Sequence, residues 1–189
     1  PDPLDGPFFE ETIYVTPSAT PAPVQKAIVE GVSRAAASLG MHHGPVHAEC
    51  RVNSQGVFIL EVAARPIGGL CARALRFRED IAANESAALA PAGTITLEEL
   101  LLRHALGEAS TRWLRESAAS GVMMIPIPRR GVFKGASGID AARAVSGVDD
   151  VRITAKVDQL LVPLPEGASY LGFIFARGSS PADVEQALR

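Results

Sequence analysis

The amino-acid sequence predicts an α+β protein built on antiparallel sheet, and three observations carry that prediction. Residues 44–65 alternate polar and apolar side chains on either side of a short Asn53-Ser54-Gln55-Gly56 turn, the pattern of a half-buried β-hairpin. Residues 122–127, 151–155, 159–163 and 170–176 are four further strand-like stretches. Only short helical signals lie among them, and strands mixed with short helices in this way suggest an antiparallel α+β unit.

Phe8 to Val15 is β-rich and stops before Pro17, which predicts a first strand. Thr20 can cap a helix that starts near Pro21, Ala22 and Pro23. Its apolar residues Val24, Ala27, Ile28, Val32, Ala35 and Leu39 recur at helical spacing, and Gly40 ends it. Beyond the hairpin, Ile67-Gly68-Gly69 makes a turn into a short helix over Leu70 to Arg76. Residues 77–95 are of mixed character. Thr96 and Glu99 form a capping box for a helix that runs to about Gly107. A short helix is expected over Ile139 to Val145, and a terminal one begins at Ser180, Pro181 and Asp183.

The hairpin carries the chemistry. With Ser54-Gln55-Gly56 as a three-residue loop and Gly56 in the left-handed position, Asn53 pairs with Val57 and paired residue numbers add up to 110. Glu49 then faces Glu61 directly, with Cβ atoms roughly 5 Å apart. One face collects Val46, Ala48, Cys50, Val52, Phe58, Leu60, Val62 and Ala64, all apolar, and is expected on a core. The other collects His47, Glu49, Arg51, Ile59, Glu61, Ala63 and Arg65. Like charges so placed destabilise a sheet unless a cation sits between them.

Two facing carboxylates can hold Mg²⁺, which keeps waters and takes one or two carboxylates plus phosphate oxygens. Arg65 shares their face, roughly 13 Å along an extended strand from Glu61, and its guanidinium suits a phosphoryl group or a tetrahedral intermediate. Gly68 and Gly69 ahead of a short helix offer backbone N–H groups to an anion. The bland alternative makes Glu49 and Glu61 exposed partners of Arg51 and Arg65, and makes His47 a hydrogen-bonding group at the sheet surface.

Composition narrows the classes. The chain has 189 residues, 47% hydrophobic and 21% charged, as in ordinary globular proteins. A net charge of −3 argues against a nucleic-acid partner, and 2 cysteines exclude a disulfide scaffold. No apolar run reaches the length of a membrane span, so no membrane partner is expected. The first residue is Pro1 and no signal peptide is visible, so the expected compartment is the cytoplasm and the expected N-terminus is a cut within a longer protein. Cys50 and Cys71 read as inert thiols, and His42-His43 as loop. Trp113 reads as helix packing. Gly131 to Gly138 lacks the Gly-Lys-Ser/Thr order of a phosphate loop and reads as a tight turn.

The string His47-Ala48-Glu49, then twelve residues on Glu61-Val62-Ala63-Ala64-Arg65, followed by Gly68-Gly69, resembles the metal-binding segment of ATP-grasp ligases. Within that superfamily it is similar to the L-amino-acid (dipeptide) ligase branch. The resemblance is densest over residues 44–75, and residues 162–177 are similar to the C-terminal subdomain of such ligases. It implies the C-terminal half of an ATP-grasp domain over residues 1–109, followed by a small α+β subdomain over 110–189. It implies Glu49 and Glu61 as ligands of Mg²⁺ or Mn²⁺, Arg65 as the catalytic contact to the transferred phosphate, and His47, Gly68 and Gly69 at the ATP site. Ala63 stands where many members carry a metal-ligating Asn, a departure shared with some amino-acid ligases.

The implied reaction activates a carboxylate with ATP as an acyl phosphate, which an amine then attacks. The superfamily's ATP-binding lysines and glycine-rich flap lie upstream of this segment, and Lys26, Lys134 and Lys156 do not replace them. The chain alone is therefore expected to be inactive, with the N-terminal remainder of its parent as partner beside small carboxylate and amine substrates. A homodimer is the usual state of the family. Two competing readings are a non-catalytic metal-binding or assembly module and another ATP-grasp enzyme acting on a nucleotide precursor or bicarbonate.

Overall fold

The computed structural model describes residues 11–80, 93–167 and 169–189. In chain order the elements are β1 (Ile13–Thr16), α1 (Ala22–Ser38), β2 (His47–Asn53), β3 (Gly56–Ala63), β4 (Arg76–Glu79), β5 (Ile95–Thr96), α2 (Leu97–Ala105), β6 (Trp113–Arg115), β7 (Ala119–Ile125), β8 (Gly131–Val132), α3 (Ile139–Arg143), β9 (Val148–Ile153), β10 (Leu160–Leu161), β11 (Gly172–Gly178) and α4 (Pro181–Leu188). Short 3-10 turns stand at Cys71–Ala74 and Ser110–Arg112. The first three residues of the strand expected over 8–15, and residues 81–92 of the mixed stretch, lie outside the described residues. Among the described residues no helix is long and apolar enough to cross a membrane.

The chain divides into two compact units, Ser18–Glu116, and Pro1–Pro17 with Ser117–Arg189. The division expected at 109/110 differs from this one, because β1 pairs antiparallel with β7 and so takes the N-terminal strand into the second unit.

In Ser18–Glu116, α1 begins one residue later than a Thr20 cap would place it. Pro21 is the capping position and no side chain caps the helix, while the Thr20 hydroxyl bonds that of Ser18 at 2.8 Å. The far end matches expectation. Gly40 adopts φ +74°, its N–H donates to Ala37 O and the Met41 N–H donates to Ala36 O, both at 3.0 Å. These are the two bonds of a left-handed helix stop, a conformation that glycine reaches without Cβ strain. α1 packs on the β2–β3 hairpin.

β5, β4 and β6 form a separate antiparallel sheet in that order, beside α2. The Thr96 side chain accepts from the Glu99 N–H at 3.2 Å, which is one half of the expected capping box, while the Glu99 carboxylate meets Arg103 at 2.7 Å instead of the Thr96 N–H. Arg76 begins β4, so the helix expected over Leu70 to Arg76 shrinks to the Cys71–Ala74 turn. Trp113 lies on β6 and not on a helix. Its indole N–H donates to Glu108 at 3.0 Å, and the Arg103 guanidinium sits 5.3 Å from its ring centre.

The second unit is a four-stranded antiparallel sheet in the order β1-β7-β11-β9, with the small pair β8–β10 beside it. Ala119, Gly121 and Met123 of β7 share a face with Ile13, Val15, Ile174 and Ala176, and Val184 and Leu188 of α4 close it. Gly121 allows that approach. A Cβ there would lie 2.7 Å from Val184 Cγ1 and 2.8 Å from the Tyr14 carbonyl oxygen. α4 is capped by Ser180, whose hydroxyl accepts from the Asp183 N–H, while the Asp183 carboxylate accepts from the Ser180 N–H at 3.0 Å. Hydrogen bonds from Ser179 and then Ser180 hold the Asp183 carboxyl below its ordinary value of 3.8.

Two expectations follow. Gly121→Ala should lower the unfolding free energy in urea by about 1–3 kcal/mol, the range for overpacking, whereas an unchanged midpoint would mean that α4 shifts freely. Ser180→Ala should cost about 1 kcal/mol as a lost cap. Because the folded Asp183 pKa is depressed, its contribution is present above 3.8 and is lost as pH falls through the folded value. The stability gap between wild type and Asp183→Ala should therefore close on acidification below that pH, and a gap constant in pH would contradict the cap.

Candidate metal centre

The hairpin reaches the expected glutamate pair by an unexpected route. The turn holds two residues, Ser54 and Gln55, and Asn53 pairs with Gly56. The Asn53 side-chain oxygen accepts from the Gln55 N–H at 2.8 Å, the local bond by which Asn favours a turn. From that turn the pairs run Val52 with Val57, Arg51 with Phe58 and Cys50 with Ile59. Continued unchanged, this register would set Glu49 against Leu60. A β-bulge between Glu49 and Cys50 absorbs one extra residue of β3, and Glu49 pairs with Glu61, Ala48 with Val62 and His47 with Ala63. Bulges re-aim side chains in this way because one added residue reverses the alternation of faces.

The faces change accordingly. Val57 and Ile59, not Phe58 and Leu60, turn toward α1, where a Cβ on Gly31 would lie 3.6 Å from Ile59 Cδ1. Phe58 and Leu60 are 46% and 59% exposed, so their expected place in the core is corrected, as is Ile59's on the charged face. The bulge shows in the strand lengths, 7 residues in β2 against 8 in β3, which the residue order alone does not fix.

Glu49 and Glu61 are 52% and 50% exposed in their side chains. Arg65 does not extend away along the strand. β3 stops at Ala63, the Arg65 N–H donates back to the Ala63 carbonyl at 2.9 Å, and the Arg65 guanidinium stands 3.5 Å from the Glu61 carboxylate. This replaces the 13 Å separation of an extended chain. The His47 ring nitrogen Nε2 is 3.9 Å from the Glu49 carboxylate, with its side chain only 19% exposed. Gly68 borders the guanidinium, since a Cβ on it would lie 4.0 Å from Arg65 Nη1. Gly69 has φ +61° and leads into the four-residue 3-10 turn, which is too short to offer the dipole of an α-helix N-terminus. Cys71 is buried, and burial pushes its thiol up, away from the reactive thiolate.

This donor set fits a hard divalent cation that keeps open positions. The two glutamates are directly paired across the strands and half exposed, and His47 and Arg65 stand 3.9 and 3.5 Å from their carboxylates. Among the described residues no group of three or more His, Cys, Asp or Glu could enclose a metal, so a cation here would have only the two carboxylates as protein ligands of that kind. The cross-strand repulsion is testable without a metal. Glu49→Gln should raise the thermal midpoint at low ionic strength by the equivalent of up to about 1 kcal/mol, with the gain fading in salt. A lowered midpoint would mean that the pair is not repulsive.

Comparison with known proteins adds a family to this geometry. Residues 1–74 match the ATP-grasp domain, and residues 123–189 match the L-amino acid ligase C-terminal domain 2. Among curated proteins no sequence match was found. The L-amino acid ligase from Bacillus licheniformis is similar in its crystal structure, with 27% identity, a TM-score of 0.75, and coverage of 97% of this chain and 43% of its own. The phosphoribosylglycinamide synthetase from Anaerococcus prevotii, at 12% identity and a TM-score of 0.61, shares the fold over 94% of this chain and 42% of its own. The chain thus spans less than half the length of either. The hairpin lies inside the stretch that matches the ATP-grasp domain and the C-terminal sheet and helix largely inside the stretch that matches the L-amino acid ligase C-terminal domain 2, so the chain is similar to an ATP-grasp ligase of the amino-acid ligase type in both parts.

Proposed function

We propose that this chain supplies the metal-binding part of an ATP-dependent carboxylate–amine ligase. The observation that carries the reading is the direct pairing of Glu49 with Glu61 on a solvent-facing hairpin of an ATP-grasp chain. The chain covers 43% of the similar amino-acid ligase, so the reaction is that of the whole enzyme to which such a part belongs.

Glu49 and Glu61 would hold Mg²⁺ or Mn²⁺. The ion, when bound, neutralises charge on the ATP phosphates. His47 steadies Glu49 from the side, and Ala63 adds no donor, which leaves metal positions for phosphate oxygens and water. Arg65 is a planar donor of five N–H bonds in a fixed fork that matches phosphoryl oxygens. Its pair with Glu61 is long and half-exposed, a kind worth about 0–1 kcal/mol, so little opposes its transfer to a phosphoryl group. Gly68 keeps the space beside that guanidinium free of a side chain.

In the proposed sequence a substrate carboxylate oxygen attacks the γ-phosphorus of ATP and ADP leaves with the bridging oxygen. An amine then attacks the acyl carbon, loses a proton and displaces phosphate. The similarity to an amino-acid ligase supports amino acids as both carboxylate and amine. In the whole enzyme, Glu61→Gln should lower ADP formation about 10²-fold or more while circular dichroism stays unchanged. Wild-type ADP release by that variant with amino-acid substrates would refute the metal role.

A further inference from the structure

The second unit holds a cavity that the ligase reading does not use. It has a volume of about 500 Å³ and lies where the chain leaves β7 and turns through β8. That size is within the usual range of small-molecule sites, roughly 300–1,000 Å³. Three cations line it, Arg129, Arg130 and Lys134, and no acid does. Lys134 is offset by Asp158, 2.5 Å away. Arg129 and Arg130 have no hydrogen bond or ion pair among the described residues. Arg103, Arg112, Arg152 and Arg177 of the same chain all meet a carboxylate.

Arg129 and Arg130 are neighbours in the chain and both are exposed, two cations without a carboxylate partner among the described residues in a protein whose net charge is −3. The loop that presents them is tied down. Gly131 and Val132 pair with β10, the Phe133 N–H donates to the Gln159 carbonyl at 2.9 Å, and the Asp158 N–H donates to the Phe133 carbonyl at 2.8 Å. The same cavity is lined by buried Leu161 and half-buried Phe133 and Leu171. A lining that combines cations with apolar side chains suits an amphiphilic anion.

We propose that this cavity binds a small oxyanion bearing an apolar group, with Arg129 and Arg130 holding the head and Phe133, Leu161 and Leu171 contacting the body. Carboxylates and phosphate monoesters share this chemistry, and the test separates them. The full chain is titrated calorimetrically with hexanoate, hexyl phosphate, acetate and inorganic phosphate. At least one tailed anion should bind saturably, and about tenfold or more tighter than its tailless counterpart, since each buried CH₂ contributes roughly fourfold. Hexanoate alone identifies a carboxylate site, hexyl phosphate alone a phosphate site, and both support the shared chemistry. The double change Arg129→Gln and Arg130→Gln should weaken binding about tenfold or more, as loss of charged hydrogen bonds predicts, whereas Arg34→Gln on α1 should leave it unchanged. Circular dichroism checks the fold of each variant, and the single arginine changes serve if the double one unfolds. No saturable binding of either tailed anion, equal binding of tailed and tailless anions, or full affinity without the arginines would each overturn the proposal.

Discussion

The candidate site rests on the register of one hairpin. A strand alternates its side chains, so β3 must satisfy two demands that a regular strand could not meet together. Val57 and Ile59 have to face α1, and Glu61 has to face the glutamate of β2. Both hold because one extra residue at the bulge reverses the alternation partway along. The half of the hairpin near the turn is fixed by its packing against α1. The half beyond the bulge is free to present charge to solvent, with Phe58 and Leu60 exposed beside it.

The ion pairs at this site are longer than two others of the same unit. Arg112 meets Glu79 at 2.6 Å and Arg103 meets Glu99 at 2.7 Å, distances of close charge-assisted bonds. Arg65 meets Glu61 at 3.5 Å and His47 meets Glu49 at 3.9 Å. Water screens two facing carboxylates that are half exposed, so the fold tolerates the pair without neutralising it. The proposed role, in which the site accepts a cation and yields its arginine to a phosphoryl group, is compatible with these longer distances, since tight internal partners would compete with both.

The second unit is built on closer contact. α4 approaches β7 to the distance that Gly121 allows, and a capping box fixes where that helix begins. Such packing leaves little freedom in the sheet. The loop around β8 presents its arginines from backbone hydrogen bonds to the segment before β10, and so it holds charge in place without burying it.

Much of this was legible in the sequence, because local signals act over a few residues. Alternation named the hairpin, Gly40 and Ser180 marked helix ends that the structure places where expected, and the spacing of Glu49 and Glu61 pointed to their pairing. That pairing was reached for the wrong local reason. A three-residue loop and a two-residue turn followed by a bulge give the same sum beyond the bulge, and they differ only in which residues of β3 meet the helix. Only packing against α1 chooses between them, since it partly covers Val57 and Ile59 and leaves Phe58 and Leu60 exposed. The return of Arg65 to Glu61 and the union of β1 with β7 are likewise tertiary outcomes. Each depends on partners distant in the chain or on a backbone turn that residue types alone leave open. Residue order determined the elements, the charged hairpin and the chemistry they suggest, while the tertiary structure decided faces, reach and grouping, because those follow from what each surface packs against.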